Sequence, residues 1–358
     1  MEDHQRKACP LPPPALSPTV PPPTIADVAR HCGVSVASVS NALSGTGRVS
    51  EKTRERVLEA ARKLGYSASP AARALRMQRS WSMGLVIPDI ANPMFGQIAR
   101  GAAEVLEEAG YHLLVASHDA RHERQAGQIR NLVQQRADGV ILQPFSSLDE
   151  EVPMLARAGI PLVLLARRHI EQPSDYVTID LRGPLLEGLA HLAALGHQRI
   201  ALTLLGGRPS TTADERFAIY CGFMRDRFDT VDETLIIRMA HTDLESGRAA
   251  VPALLAARAT AVIAANDILA LGIRDGLRAS ALSVPQDLSL LALEDTFLSP
   301  LPGIELTSPS LPKQQIGMAA ARLILARIAE PSRAFETIVL PSPLVVRGST
   351  APPRVGPT

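Results

Sequence analysis

Apolar residues recur at helical spacing near the start of the chain, whereas from residue 82 onward they form short, nearly continuous runs. The first helical pattern has apolar positions at i, i+3, i+4 and i+7, which predicts an amphipathic helix. These positions are Ile25, Val28, Ala29 and Cys32. Thr24 precedes the pattern as an N-cap with Asp27 in the first turn, and Gly33 follows it. The sequence therefore predicts a helix that begins after Thr24 and ends before Gly33.

Two more short helices are predicted behind this glycine. Ser35 is placed to cap the second helix and Ser50 the third, which ends at Gly65. Their buried positions are predicted to be Val39, Leu43, Val57, Ala61 and Leu64. A short glycine turn between two helices is typical of a helix-turn-helix. A helical hairpin inside another fold has the same pattern, so the pattern alone leaves that alternative open.

The second helix has an outer face of small and polar residues. Hydroxyls can contact phosphates, and small side chains fit against base edges in the major groove. The serines are Ser35, Ser38 and Ser40, and the base-facing residues are Val36, Ala37 and Asn41.

Residues 24–80 contain ten Lys or Arg against four Asp or Glu, which gives them a net charge of +6. Residues 1–23 have no net charge and the whole chain carries +1, so residues 81–358 carry −5. A basic head on an acidic body supports a polyanionic partner for the head.

The apolar runs after residue 82 have strand length and are separated by helical stretches. They are SMGLVIPD, YHLLVAS, DGVILQP, IPLVLLA and YVTID, followed after Gly196 by RIALTLLG, TLIIRM, AVIAAN and LSLLALE. Such strands alternating with helices predict parallel sheets that are covered on both faces. Two series of them predict two doubly wound subdomains with a cleft between them.

Ligands of doubly wound sheets bind beyond the carboxyl ends of the strands. This rule selects Asp89–Phe95, Gln143–Phe145, Arg167, Asn266, Asp267, Glu294 and Asp295. Structural roles stay open for several of these residues. Asn266 or Asp267 can simply cap a helix. Phe145 can belong to the core, and Arg167 can form a surface ion pair.

The composition bounds the class of protein. A chain of 358 residues with 46% apolar and 20% charged residues leaves room for two or three domains of an ordinary globular protein. No apolar run approaches the roughly 18 residues that span a bilayer, and MEDHQRKACP lacks the apolar segment of a secretory signal. We therefore expect a cytoplasmic protein without a membrane partner. Residues 1–23 contain eight prolines and are predicted to form a disordered tail.

No constellation for catalysis or metal binding is evident in the sequence. It has no G-x-S-x-G, H-E-x-x-H or P-loop motif and no G-x-G-x-x-G after a strand, so we expect neither an enzyme nor a cofactor. Cys9, Cys32 and Cys221 show no metal-ligand spacing, as expected for reduced thiols. His118 and His122 stand at i and i+4, as metal ligands do, but their flanks favour a polar loop or a helix start.

The segment TIADVARHCGVSVASVSNALSGTGRVSEKTRERVLEAARKLGYSASPAARALR, from Thr24 to Arg76, resembles the DNA-binding head of the lactose/galactose repressor family. The remainder, to about residue 347, resembles that family more loosely. In the family two residues that open the recognition helix read bases, and here these are Val36 and Ala37. Asn41 departs from the arginine that is common there. Because asparagine prefers adenine and arginine prefers guanine, we expect adenine at that base pair of the half-site.

The stretch SPAARALRMQR, residues 69–79, is similar to the hinge helix of the family. A helix of this length is too short to be stable alone. The alternative interpretation is that this stretch is simply a basic linker. The resemblance implies that Leu75 wedges into the minor groove, while Ala72 permits close approach and Arg73 lies on a phosphate. Ser69 stands where the family usually has asparagine. The candidate DNA-binding residues are thus Thr24, Ser35, Val36, Ala37, Ser38, Ser40, Asn41, Thr53, Tyr66, Ser69, Ala72, Arg73 and Leu75.

The resemblance also implies the fold: an all-α helix-turn-helix head plus an α/β periplasmic-binding-protein-like core of two doubly wound parallel-sheet subdomains. The expected parts are a tail at 1–23, the head at 24–68, a hinge or linker at 69–80, the core at 81–347 and a tail at 348–358. Within the core, the first subdomain is expected at about 82–180 plus 308–332. The second is expected at about 181–307 plus 333–347.

In the family a small effector binds in the cleft of this core. Packing contacts are expected from Phe95 and Phe145, and polar contacts from Gln143, Arg167, Arg216, Asn266 and Glu294. Ala166 and Glu294 stand where sugar-binding members usually carry aspartate. With Arg167 and Arg216 near the cleft, a sugar acid is a second candidate beside a neutral sugar.

The sequence thus predicts a ligand-responsive transcriptional regulator, a repressor in its basic action, that binds a pseudo-palindromic operator in double-stranded DNA as a homodimer. The tail TAPPRVGPT has no leucine heptad, so dimers are expected rather than tetramers. The alternative is a sugar-binding or sugar-modifying protein with the same core and no role in gene regulation. Whether the effector releases the protein from DNA or holds it there stays open.

Overall fold

The structure is a computed structural model in which residues 23–44, 47, 49–66, 79–145, 147–165, 174–206 and 211–354 are described. The chain divides into two compact units, with the division between Gln78 and Arg79. Within the described ranges, none of the helices has the length and hydropathy of a membrane-spanning segment.

The head contains three helices around one small core. They are α1 (Ile25–Cys32), α2 (Val36–Ser44) and α3 (Glu51–Leu64). The core is formed by Val28, Ala29, Cys32, Val39, Ala42, Val57, Ala60 and Ala61. Thr24 closes a capping box with Asp27, and Gly33 and Gly65 end their helices with left-handed φ angles of 61° and 66°. The predicted helix boundaries of the head are confirmed.

The first lobe of the core is built on a six-stranded sheet that is parallel throughout and has the order β11-β5-β4-β3-β1-β2. Its strands are β1 (Ser82–Ile87), β2 (His112–Ser117), β3 (Gly139–Leu142), β4 (Leu162–Leu165), β5 (Asp175–Ile179) and β11 (Thr337–Leu340). Helices α4 (Pro93–Glu108) and α11 (Lys313–Ala329) share one buried cluster on this sheet, and α5 (His122–Gln134) and α6 (Glu151–Arg157) share another. The inner strands β1, β3 and β4 are buried on both faces, which confirms the reading of the sequence, whereas the edge strands β2 and β11 are partly exposed.

The second lobe repeats this plan on a four-stranded parallel sheet with the order β7-β6-β8-β9. Its strands are β6 (Ile200–Leu205), β7 (Ile236–Met239), β8 (Ala261–Ile263) and β9 (Ser289–Leu291). Its helices are α7 (Arg182–Ala194), α8 (Thr211–Phe228), α9 (Leu244–Ala256) and α10 (Asp267–Ala279). The antiparallel pair β10 (Ser308–Pro309) and β12 (Leu344–Val345) lies beside it.

The division of the last 50 residues between the lobes differs from the prediction in three places. Strand β11 pairs with β5 of the first lobe, although 333–347 were expected in the second subdomain. Strand β10 continues from the second lobe through a bridge between Leu291 and Thr307, although 308–332 were expected in the first. Residues 349–351 hydrogen-bond to β9 rather than form a tail. These strands are too short to carry a periodic pattern, so only the pairing reveals their place.

Candidate functional site

The start of α2 presents the surface that the sequence assigned to DNA contact. Val36 is 46% exposed and Ala37 is exposed, while Ser38 and Ser40 are half-buried. The Ser35 hydroxyl accepts a hydrogen bond from the Ser38 main-chain N–H at 3.1 Å, which is the cap that the sequence predicted. Val36 and Ala37 therefore form an exposed apolar surface in the first turn of α2.

Other predicted DNA contacts in the head also have local structural roles. The Thr53 N–H donates to the Ser50 hydroxyl at 3.3 Å, and Tyr66 packs against the head core. Asn41 is half-buried, and a Cβ placed at Gly47 would stand 2.8 Å from its Nδ2, so its amide lies against Gly47. The sequence predicted that the Asn41 side chain points outward, whereas in the structure it is only partly exposed.

Some predicted residues lie outside the part of the chain that the structure describes. They are Ser69, Ala72, Arg73 and Leu75 of the proposed hinge, and Arg167 of the proposed effector site. Their assignments stay predictions.

A cavity of about 390 Å³ lies between the two lobes of the core. Its walls come from the carboxyl ends of strands in both sheets, as the strand-end rule requires. Among its lining residues are Phe95, Gln143, Phe145, Arg216, Asn266 and Glu294. The six effector-site candidates that fall in the described residues thus meet at one cavity.

The wall from the first lobe is held by a buried polar network behind it. The Gln125 side chain accepts a hydrogen bond from the Phe145 N–H at 2.7 Å and donates to Glu151 Oε1 at 3.1 Å. The ring of His118 hydrogen-bonds to the Gln143 carbonyl oxygen at 3.0 Å. His118 therefore fixes the loop after β3, and the described residues contain no cluster of His, Cys, Asp and Glu that could hold a metal ion.

The wall from the second lobe combines a helix cap and an arginine. Asn266 caps α10, because its Oδ1 accepts from the Leu269 N–H at 2.8 Å, and its Nδ2 donates to the Thr242 carbonyl at 3.0 Å. The capping role that the sequence left open is therefore real. Arg216 Nη1 donates to the Ala265 carbonyl at 3.1 Å. Burial lowers the pKa of the Arg216 guanidinium, while the charges of Glu294 and Glu215 act in the opposite direction.

The carboxyl group of Glu294 at the cavity has a pKa far from its ordinary value. Only 7% of the residue is exposed, and both of its carboxyl oxygens accept hydrogen bonds from Asn92 Nδ2 at 3.1 Å. Burial raises the pKa of Glu294 to about 8, and the charge of Asp267 adds to this rise; the Asn92 amide opposes it. The raised pKa favours the protonated form of this carboxyl group near neutral pH.

Sequence reasoning missed two groups of residues at the site. Ala240–Asp243 line the cavity after β7, and the strand-end rule would have selected them if it had been applied to that strand. The second is the single residue Lys313, which holds the main-chain carbonyls of Glu294 and Asp295 from the first lobe. Asn92, which holds the Glu294 carboxyl, lies within the Asp89–Phe95 segment that the strand-end rule selected. Asn92 precedes a proline at a helix start, a local signal of a cap. The position of Lys313 has no local signal.

Comparison with known proteins identifies relatives of this chain. Residues 24–69 match the family model of bacterial regulatory proteins, lacI family, and residues 189–350 match the periplasmic binding protein-like domain. The HTH-type transcriptional regulator DegA of Bacillus subtilis is 33% identical over 338 residues, which cover 92% of this chain and 98% of DegA. The chain belongs to the lacI family of bacterial regulators. The family resemblance of the sequence is thereby confirmed.

Two solved structures show what other proteins with this fold bind. The lac repressor dimer bound to operator and the anti-inducer ONPF is 26% identical and covers 92% of this chain and 99% of its own, with a TM-score of 0.77. A lacI-family regulator of Enterococcus faecium with bound ribose is 28% identical, with a TM-score of 0.69. This match covers 76% of the present chain and 100% of the Enterococcus faecium regulator. The head and the two-lobed core are thus both present in structures of the family.

Proposed function

We propose that this lacI-family regulator binds a pseudo-palindromic operator as a homodimer and that a sugar or sugar acid in the interlobe cavity controls that binding. It acts on transcription and not as an enzyme, in the cytoplasm and without a membrane partner. One observation carries the proposal. A single chain combines exposed Val36 and Ala37 side chains at the start of a capped helix with a cavity that is lined by residues from two lobes. The rival function, sugar binding or modification without gene regulation, leaves the head unexplained.

In this proposal the head supplies sequence recognition. The first turn of α2 enters the major groove, where Val36 and Ala37 contact base edges and neighbouring hydroxyls contact phosphates. Residues 69–79 pair with their counterparts of the second subunit in the minor groove, with Leu75 as the wedge. Neutralised phosphates release counterions, so affinity falls steeply with salt.

In the core, the two lobes enclose the effector. Phe95 and Phe145 provide apolar surface, and Gln143, Arg216 and Glu294 provide polar groups around it. Asn266 contributes through its position at the start of α10, because its amide is engaged in the cap. An effector that binds one arrangement of the lobes better than the other shifts the population between them, and thereby the spacing of the two hinges.

The DNA half of the proposal is tested by selection from random duplexes with the full-length chain, followed by binding of the selected fragment over a range of salt concentrations. We expect a palindromic site and a steep fall in affinity with salt. Leu75→Ala should lose most of the operator affinity. Asn41→Arg should exchange adenine for guanine at one symmetric base pair. Absence of any preferred duplex contradicts the regulatory function.

The effector half is tested by isothermal titration with ribose, glucose and cellobiose against gluconate and galacturonate. Glu294→Gln should weaken the sugar that binds by about tenfold, which is about 1.4 kcal/mol. Glu233→Gln is the matched control, because Glu233 is exposed and lies outside the cavity. Preference for the acids would assign the anionic class, and equal losses in both variants would contradict the site.

A further inference from the structure

The chain enters the core through a strained tryptophan. Trp81 has φ of +56°, in the left-handed region that bulky residues rarely adopt. Its N–H donates to Asp138 Oδ2 at 3.2 Å, and its carbonyl accepts from the His112 N–H at 2.8 Å. The preceding Ser80 N–H donates to the other oxygen of Asp138 at 2.9 Å. Such strain persists only where the surroundings enforce it, and it often marks a functional position.

The ring of this tryptophan packs against Tyr111, three residues beyond the end of α4. Its centroid stands 5.1 Å from that of Tyr111, and the Arg79 guanidinium lies 5.8 Å from its centroid. Tyr111 is 4% exposed and is tied to the last turn of α4, because its N–H donates to the Leu106 carbonyl at 2.8 Å. A movement of α4 therefore changes the surface against which Trp81 packs.

The near end of α4 touches the cavity. Asn92 caps this helix with its Oδ1, which accepts from the Met94 N–H at 2.9 Å, and its Nδ2 holds the Glu294 carboxyl of the second lobe. Phe95 in the first turn lines the same cavity. With 16 residues, α4 spans about 24 Å between Asn92 and the Trp81 contact.

A second helix beside α4 grips the same segment of the second lobe. Lys313 is the first residue of α11 and is 6% exposed. Its ammonium group donates to the main-chain carbonyls of Glu294 at 2.8 Å and Asp295 at 2.5 Å, and also to that of Leu311 at 2.9 Å. Burial lowers the pKa of Lys313, while the charges of Asp295, Asp267 and Glu294 oppose that fall.

The two helices are packed so closely that they must move together. Gly101 of α4 faces the main chain of Gln314, and Gly317 of α11 faces the main chain of Ile98 and Ala102. A Cβ atom at either glycine would overlap these main-chain atoms. Backbone contact without intervening side chains leaves little freedom for one helix to slide along the other.

We propose that the α4–α11 pair connects the cavity to the linker and that Trp81 is the positioning residue that sets the direction in which the linker leaves the core. The second lobe acts on one end of the pair through Glu294 and Asp295. The other end supports the Trp81 ring and thereby its strained backbone. The biological use of this connection rests on the proposed function, because only DNA binding gives the linker something to control.

The connection is tested in the absence of DNA, since Trp81 is the single tryptophan of the chain. Acrylamide quenching of its fluorescence is measured in the full-length protein and in Asn92→Ala and Lys313→Met. Both changes release the second lobe from the helix pair, and we expect the quenching constant to change by about twofold. Thr212→Ala is the control, because Thr212 lines the same cavity from α8 of the second lobe and not from α4 or α11.

The proposal is overturned if Trp81 quenching stays at the wild-type value in both variants while circular dichroism shows them folded. It is also overturned if Thr212→Ala changes quenching as much as they do. If Lys313→Met fails to fold, Lys313→Arg is measured in its place. Because it retains the hydrogen-bond donors, its quenching constant should equal that of the wild type. A chain that binds no DNA would contradict the proposed function and leave this result standing.

The positioning role has its own test on a selected operator fragment. Trp81→Ala should weaken operator binding, and Trp81→Phe, which keeps a ring on Tyr111, should restore most of it. Effector affinity should be equal in the two variants, because Trp81 lies outside the cavity lining. Equal operator binding by Trp81→Ala and the wild type would exclude a positioning role for the residue.

Discussion

The head and the core of this regulator build their functional surfaces from very different distances along the chain. The caps of the head join residues that are three apart, such as Ser35 with Ser38 and Ser50 with Thr53. At the cavity, Asn92 binds a carboxyl group that is 202 residues away, and Arg216 binds a carbonyl 49 residues away. A local surface is encoded in a short pattern, whereas the cavity exists only after both lobes have folded.

The largest effect is expected where the core depends on contact between distant backbones. Gly101→Ala places a methyl group against the main chain of Gln314, so we expect the free energy of unfolding to fall by about 3 kcal/mol, the upper end for overpacking. Gly96→Ala is the matched control in the same helix, because a Cβ there meets nothing within 4 Å. That control should gain up to about 1 kcal/mol from helix propensity. Urea denaturation followed by circular dichroism measures both.

Equal stabilities for the two alanine variants would mean that α4 and α11 separate at no cost. The contrast between the head and the core would then lose its energetic basis, and so would the rigid connection proposed above.

The same contrast explains what the sequence predicted well. The caps at Thr24, Ser35 and Ser50 and the glycine at position 33 carry local chemistry, and all of them lie where the pattern placed them. The nine strands with apolar runs were also found. Burial on both faces explains the continuous apolar signal of the inner strands, whereas the edge strand β2 is apolar but largely exposed. Predicting two lobes from two series of strands therefore required no knowledge of contacts.

Residues that depend on long-range pairing were the ones that sequence reasoning missed. Lys313 is a buried charge that holds carbonyls of the other lobe, and nothing in its neighbourhood of the sequence announces this. Strand β11 has four residues and an alternating pattern of half-exposed positions, which is too weak to assign it to a sheet. Asn266 shows the reverse case: its local cap was foreseen, but its contact with Thr242 came from the fold.

The protonation of Glu294 gives the core a pH dependence between about pH 5 and pH 8. The pKa of Glu294 is raised from 4.5 to about 8 in the folded protein. Between these values the folded state binds a proton that the unfolded state has lost, so stability falls as the pH rises from about 5 to about 8. The slope is at most about 1.4 kcal/mol for each pH unit. Urea denaturation at a series of pH values compares the wild type with Glu294→Gln.

Glu294→Gln keeps the shape of the side chain and removes its titration. The difference in unfolding free energy between this variant and the wild type should therefore change steadily up to about pH 8 and then level off. A difference that stays constant from pH 5 to pH 9 would show that Glu294 is ionised throughout. Asp267, Arg216 and Lys313 face Glu294 in both proteins, so the difference reports the titration of Glu294 together with its coupling to these charges.

The smallest effect is expected in the head, where a single local cap can be removed without disturbing distant contacts. Ser35→Ala deletes the hydroxyl that accepts from the Ser38 N–H, and we expect a cost of about 1 kcal/mol to the start of α2. Amide hydrogen exchange of α2, including the Val39 N–H that bonds to the Ser35 carbonyl, should become about fivefold faster. Ser35→Asp retains a side-chain acceptor and should exchange at close to the wild-type rate. Exchange in the strands of both lobes should stay unchanged in either variant, because a cap spanning three residues has no partner beyond its own helix; faster exchange there would show that the head and the core are not energetically separate.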